Sequence, residues 1–110
     1  MATNALTPDV LELVAERFKV LAEPARLQIL NALRGGEQTV TELIEATGIR
    51  QANVSKHLQL LYAAGFVDRR KEGLRVYYHI ADDGVFELCH LVCGRLESEA
   101  GRRLAVLARR

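Results

Sequence analysis

Tryptophan is absent, and the only aromatic residues are three tyrosines and three phenylalanines. Leucine, isoleucine, valine and alanine must therefore fill any core. The chain has two cysteines, too few for the disulfide framework on which many small secreted folds depend. Two prolines leave room for long helices, because proline is the residue that most strongly interrupts them. No apolar run reaches the ~18 residues needed to cross a bilayer. The stretch from Met1 to Asp9 lacks the basic and apolar regions of a secretion signal. These absences imply a cytoplasmic chain whose cysteines are thiols. They include the marks of an enzyme: there is no phosphate loop, carboxylate pair or metal tetrad, and the adjacent Cys89 and His90 would point apart on a helix.

The 110 residues suit one domain, 1–110. At 49% apolar and 26% charged, the composition excludes a chain disordered throughout. A net charge of +1 does not by itself suggest nucleic acid, but its distribution does. Residues 50–79 hold six basic side chains (Arg50, Lys56, Arg69, Arg70, Lys71, Arg75) against Asp68 and Glu72, a balance of +4, and the remainder stands at −3. A basic segment on an acidic body is the footprint of a phosphate-binding surface.

Periodicity places five helices and two strands. Val10, Leu13, Val14, Phe18 and Leu21 recur at helical spacing over 9–21, and residues 1–8 read as frayed, with Pro8 at a helix start. A second helix opens at Pro24, carries Leu27, Leu30 and Leu33 with Ile29 beside them, and ends at Gly35-Gly36. Thr39 or Thr41 caps a short third helix to Thr47, with Leu43, Ile44 and Ala46 turned inward. Gly48 supplies a turn, Ile49 an apolar plug, and a fourth helix runs from Gln51 to Ala64. Phe66–Arg70 and Arg75–Ile80 alternate as strands around a tip at Glu72-Gly73. A last helix covers 83–107. The fold class is mainly α with a small β-hairpin, a winged helix-turn-helix in the order α1-α2-α3-α4-β-β-α5, with the helix-turn-helix at 39–65 and the wing at 66–80.

This pattern reads as a double-stranded DNA binder. Val54, Leu58 and Leu61 share one side of the fourth helix, and Ala52, Asn53, Ser55, Lys56 and Gln59 lie largely on the other. Asn and Gln can pair with adenine, and Lys with guanine or phosphate. An ordinary solvated helix has a similar face, but the hairpin that follows carries Arg69, Arg70, Lys71 and Arg75, suited to the DNA backbone. The candidate DNA-binding residues are Arg50, Gln51, Asn53, Ser55, Lys56, Gln59, Arg69, Arg70, Lys71 and Arg75. His57 falls near the buried side of its helix, for packing or a phosphate contact. His79 reads as exposed, and His90 as a surface or interface residue.

Three motifs carry a family resemblance. Leu21-Ala-Glu-Pro-Ala-Arg-Leu-Gln-Ile-Leu resembles the opening of the ArsR/SmtB family of bacterial repressors. Asn53-Val-Ser-Lys-His-Leu-Gln-Leu-Leu with Ala64-Gly-Phe-Val is similar to its recognition helix and exit, and Gly73-Leu-Arg-Val-Tyr-Tyr to its wing. The resemblance implies a homodimer joined through helices 9–21 and 83–107, repressing a nearby operon until an inducer binds. One position departs from it: where the family places Ser or Thr as the recognition-helix cap, this chain has Arg50. The family's zinc-type site matches only at Asp82, since Gly84, Arg95 and Ser98 occupy its other positions. The cysteines of the family's third-helix metalloid site are missing from Thr39–Ile44.

Cys89 and Cys93, at i and i+4, share one face of the last helix. Thiolates favour soft ions such as As(III), which ordinarily takes a third thiolate that a single chain lacks and a partner subunit can bring. An intrahelical disulfide would strain the helix, and a polysulfide bridge would fit with less distortion. Alternatively both cysteines pack among Leu88, Leu91, Val92 and Leu96, and the inducer is a small organic ligand or absent. A more remote alternative is a protein–protein interaction module on the same scaffold.

Overall fold

A computed structural model of the chain describes residues 5–108, and the side chains of 5–103 and 108. Residues 1–4, half of the segment read as frayed, lie outside that range. The elements run α1 (Pro8–Leu21), α2 (Pro24–Leu33), β1 (Gln38–Thr39), α3 (Val40–Thr47), α4 (Gln51–Ala63), β2 (Val67–Glu72), β3 (Arg75–Ile80) and α5 (Gly84–Ala108).

Local chemistry accounts for the boundaries. Thr7 Oγ1 accepts from Val10 N at 3.3 Å, and Pro8 opens α1 where a missing N–H is harmless. Thr39 and Glu42 form a reciprocal capping box at the start of α3: Glu42 N donates to Thr39 Oγ1 at 3.2 Å, and Thr39 N to Glu42 Oε1 at 2.9 Å. Gly48 ends α3 at φ 74°, a left-handed conformation that glycine adopts without a Cβ clash. Asp82 Oδ1 accepts from Gly84 N at 2.9 Å at the head of α5, so the one position that matches the family's zinc site serves the helix end.

β1 is an addition to the expected hairpin. Its two residues pair antiparallel with β3, Gln38 opposite Tyr78 and Thr39 opposite Tyr77, giving the sheet order β1-β3-β2. β2 reaches Glu72, which pairs with Arg75, so the tip is Gly73-Leu74 rather than Glu72-Gly73. Leu74 there is fully exposed.

The core joins α2 (Ile29, Leu30, Leu33), α3 (Leu43), α4 (Val54, Leu58, Leu61), the sheet (Phe66, Val67, Tyr78) and Val85 at the start of α5. Each of these side chains is at most 8% exposed. At ~25 cal/mol per Å² of apolar surface, burial of this cluster is what orients α4 against the sheet. Ile44 is half-buried against the core, but two inward placements do not hold: Leu27 and Ala46 are exposed, because α2 and α3 present narrower faces to the body than their periodicity suggests.

α1 contributes no fully buried residue. Val10, Leu13 and Phe18 of its apolar stripe are exposed, and Val14 and Leu21 are half-buried. α5 is tied to the body near its start, where Arg34 stacks on Phe86 (4.9 Å to the ring centroid) and its Nη2 lies 3.1 Å from Nε2 of the exposed His90. Every side chain from Leu91 to Arg103 is exposed. The Cα radius of gyration is 17.5 Å, against ~13 Å for a compact domain of about 100 residues, because α5 projects from the body.

Candidate nucleic-acid interface

α3 and α4 are joined through Gly48, Ile49 and Arg50, with Ile49 half-buried against the core. Val54, Leu58 and Leu61 fix the inner side of α4, which leaves Gln51, Ala52, Asn53, Lys56 and Gln59 exposed on the outer side. Ser55 is half-buried, at the border of the two faces. Arg50 occupies the N-cap position without a side-chain hydrogen bond to the backbone. It is exposed beside the unsatisfied N–H groups of the helix start, where the helix dipole favours an anion.

His57 is held from within. Arg26 of α2 donates through Nε to His57 Nδ1 at 3.1 Å and through Nη1 to the Val20 carbonyl of α1, also at 3.1 Å. One guanidinium thereby links three helices. Burial, and then the charge of Arg26, push the His57 pKa down, with Glu23 opposing. The neutral imidazole is the form that can accept from Arg26. His57 therefore serves packing, and the alternative of a phosphate contact is not supported by its placement. The Arg26 contact was not foreseen, since the two residues lie 31 positions apart.

The wing separates its cations by face. Pairing across β2 and β3 puts Arg69 with Tyr78 and Lys71 with Val76 on one face, and Arg70 with Tyr77 and Glu72 with Arg75 on the other. Arg69 lies over the Tyr62 ring at 4.3 Å, so the wing touches the end of α4. Arg70 bridges Glu37, in the loop before β1, and Glu72 of its own strand. Lys71 and Arg75 are exposed with no ion-pair partner among the described residues. His79, expected to be exposed, is half-buried on the sheet.

Cys89 and Cys93 are free thiols, the first half-buried and the second exposed. The Cys93 thiol points toward Glu97 Oε1 at 3.7 Å. Both line an open apolar groove of about 430 Å³ between α1, α2 and α5, with Phe18, Leu21, Leu27 and Leu96 among its walls. Among the described residues no group of three or more His, Cys, Asp or Glu side chains can hold a metal ion. One chain thus offers a thiophilic ion two thiolates and no third ligand of that kind. No helix of the described residues is long and apolar enough to cross a membrane.

A short helix, a glycine turn, a second helix with an outward polar face and a cationic hairpin beside it together define a winged helix-turn-helix protein. Residues 23–69 match the family described as bacterial regulatory protein, arsR family. The chain belongs to the ArsR/SmtB family. It is 43% identical over 83 residues to an HTH-type transcriptional regulator of Mycobacterium tuberculosis, covering 76% of this chain and 37% of that protein. It is 39% identical over 77 residues to the probable mercury resistance operon repressor of Streptomyces lividans, covering 70% of this chain and 62% of that one. The chain thus spans between about a third and two thirds of these relatives' lengths. Among solved structures, the homodimeric winged helix-turn-helix DNA-binding domain of a possible ArsR-family regulator from Mycobacterium bovis superposes with a TM-score of 0.75 at 37% identity, covering 93% of this chain and 95% of that one.

Proposed function

We propose that this chain is a sequence-specific, DNA-binding transcriptional repressor that works in the cytoplasm as a homodimer, and that chemistry at Cys89 and Cys93 releases it from its operator. The observation that carries the DNA reading is the outward face of α4, where Gln51, Asn53, Lys56 and Gln59 stand exposed, together with the exposed wing cations Lys71 and Arg75, which have no ion-pair partner among the described residues. Side chains of that kind on a protruding helix suit base edges, and the wing cations suit phosphates. The homodimer is supported by exposed apolar side chains on α1 and α5, among them Phe18, Leu91, Val92 and Leu96, each more than half exposed. The Mycobacterium bovis neighbour is itself homodimeric. A two-fold dimer would read two half-sites about one DNA turn apart.

The sensing reading rests on two free thiols one helical turn apart on a single face. Soft ions such as As(III), oxidants and reactive sulfur species are the candidate inducers. The Streptomyces lividans relative bears mercury in its name, and mercury is a thiophilic metal. A third thiolate for As(III) would come from the partner subunit. The competing reading has both cysteines packing, with a small organic inducer or none, and the half-buried position of Cys89 in the apolar groove favours it.

A titration of the protein's own upstream DNA separates these readings. Reduced protein should bind tightly, and As(III) or polysulfide should weaken binding in the wild type but not in a Cys89→Ser/Cys93→Ser variant. Binding unaffected by either reagent would leave the repressor and assign both cysteines to packing. Absence of salt-dependent duplex affinity would remove the DNA reading.

A further inference from the structure

One cation of the wing is already occupied. Arg70 donates through Nε to Glu37 Oε2 at 2.9 Å, through Nη2 to Glu37 Oε1 at 2.5 Å, and through Nη1 to Glu72 Oε2 at 3.0 Å. Its guanidinium lies over the Tyr77 ring, 4.6 Å from the centroid. The side chain reaches from β2 across β3 to the loop before β1, so Glu37 is not part of the hairpin it holds. The hydrogen bond with Arg70 keeps the Glu37 carboxyl below its usual range, and the hydrogen bonds to the two carboxylates push the Arg70 pKa up, so each partner of the Arg70–Glu37 pair favours the charged form of the other.

A carboxylate and a phosphodiester present the guanidinium fork with the same feature, two anionic oxygens that take parallel N–H bonds. Glu37 fills that fork as a DNA phosphate would. The pair faces solvent, with side-chain exposures of 45% for Arg70 and 37% for Glu37, so competition with a phosphate is sterically open. A cation already neutralised by the protein displaces no counterion from DNA and adds nothing to the salt dependence of binding.

We propose that Glu37 is an internal phosphate surrogate that withholds Arg70 from the DNA backbone and so lowers affinity for duplex of any sequence. The proposal rests on the DNA-binding reading above. It removes Arg70 from the anchoring residues of the wing and leaves that task to Arg69, Lys71 and Arg75. It also makes Glu37, outside both the recognition helix and the wing, a determinant of how tightly the protein holds DNA.

The test is the slope of log Kobs against log salt for the full chain, on its upstream duplex and on an unrelated duplex of equal length. Glu37→Gln should bind both duplexes more tightly and steepen the slope by about 0.9 per unmasked phosphate contact, or about 1.8 for a dimer with two wings. Glu37→Ala should reproduce the steepening, which guards against a local effect of the glutamine. Arg70→Ala alone should keep the wild-type slope, and Glu37→Gln in the Arg70→Ala background should not steepen it. A flatter slope for Arg70→Ala would mean that Arg70 already touches phosphate, and would overturn the proposal. An unchanged slope for Glu37→Gln, or equal steepening with and without Arg70, would overturn it as well. Wild-type protein with no salt-dependent affinity for either duplex would instead defeat the underlying DNA reading.

Discussion

Truncating Arg26 tests whether the recognition helix is held by a single side chain. Arg26→Ala deletes two hydrogen bonds from a charged donor, one to His57 of α4 and one to the Val20 carbonyl. Val20 lies in the last turn of α1, so its carbonyl has no partner within the helix. Bonds of this type contribute ~1.5–3 kcal/mol each when fully formed. Both are only part-buried, so water replaces some of each, and a total near 2 kcal/mol is expected. At ~4–8 °C per kcal/mol for small domains, melting should fall by roughly 10 °C, measured at fixed protomer concentration. His57→Ala removes one of the bonds, and the double variant should reveal a coupling of about 1 kcal/mol. The pH dependence follows from the lowered pKa of His57. The unfolded chain takes up this proton near pH 6.5, before the folded protein does. The stability contributed by neutral His57 is therefore complete above that pH and is lost as pH falls toward the lowered folded value. His57→Ala should shed this part of the acid loss. Additivity of the two substitutions within ~0.3 kcal/mol, with an unchanged acid profile in His57→Ala, would refute the account.

Three further outcomes are expected. Gly48→Ala meets no neighbouring atom but must keep φ near 74°, so it should cost ~1–2 kcal/mol through the left-handed backbone alone, read by denaturant unfolding. Lys56→Ala should weaken binding chiefly on the cognate sequence, whereas Lys71→Ala should weaken it on all sequences and flatten the salt slope by about 0.9 per protomer. Equal loss of sequence preference in both would contradict the division between helix and wing. Leu91→Glu, on the exposed side of α5, should shift sedimentation toward the monomer while far-UV helicity remains, and an unchanged dimer would move the interface elsewhere.

The helix-turn-helix was legible because its signals are local. Thr39 and Glu42 stand at capping-box spacing, Gly48 breaks the pattern, and the apolar positions of α4 recur at helical period. β1 was not legible: two residues carry no period, and their partner lies some 40 positions away in β3. The stripe on α1 was found but could not be assigned to this chain's own core, and the structure leaves most of it uncovered. The cations of the wing could be read from the sequence, and the structure places them on β2 and at the start of β3. Which of them are spent internally depends on Glu37, 33 residues from Arg70, and on the strand order that brings the two together. Arg26 and His57 illustrate the same limit, since a motif can mark both residues without revealing that they touch.

The uncovered apolar strip between α1 and α5 has a consequence for dose. When free protomers outnumber pairs, the pair concentration varies as the square of the protomer concentration, so halving the protein reduces pairs about four-fold. A repressor of the proposed dimeric kind would not fade in proportion as it is diluted by growth. On the function proposed above, the genes would stay silent over a range of abundance and be released over a narrow one, with the steepness set by the hydrophobic side chains that a single chain leaves in water.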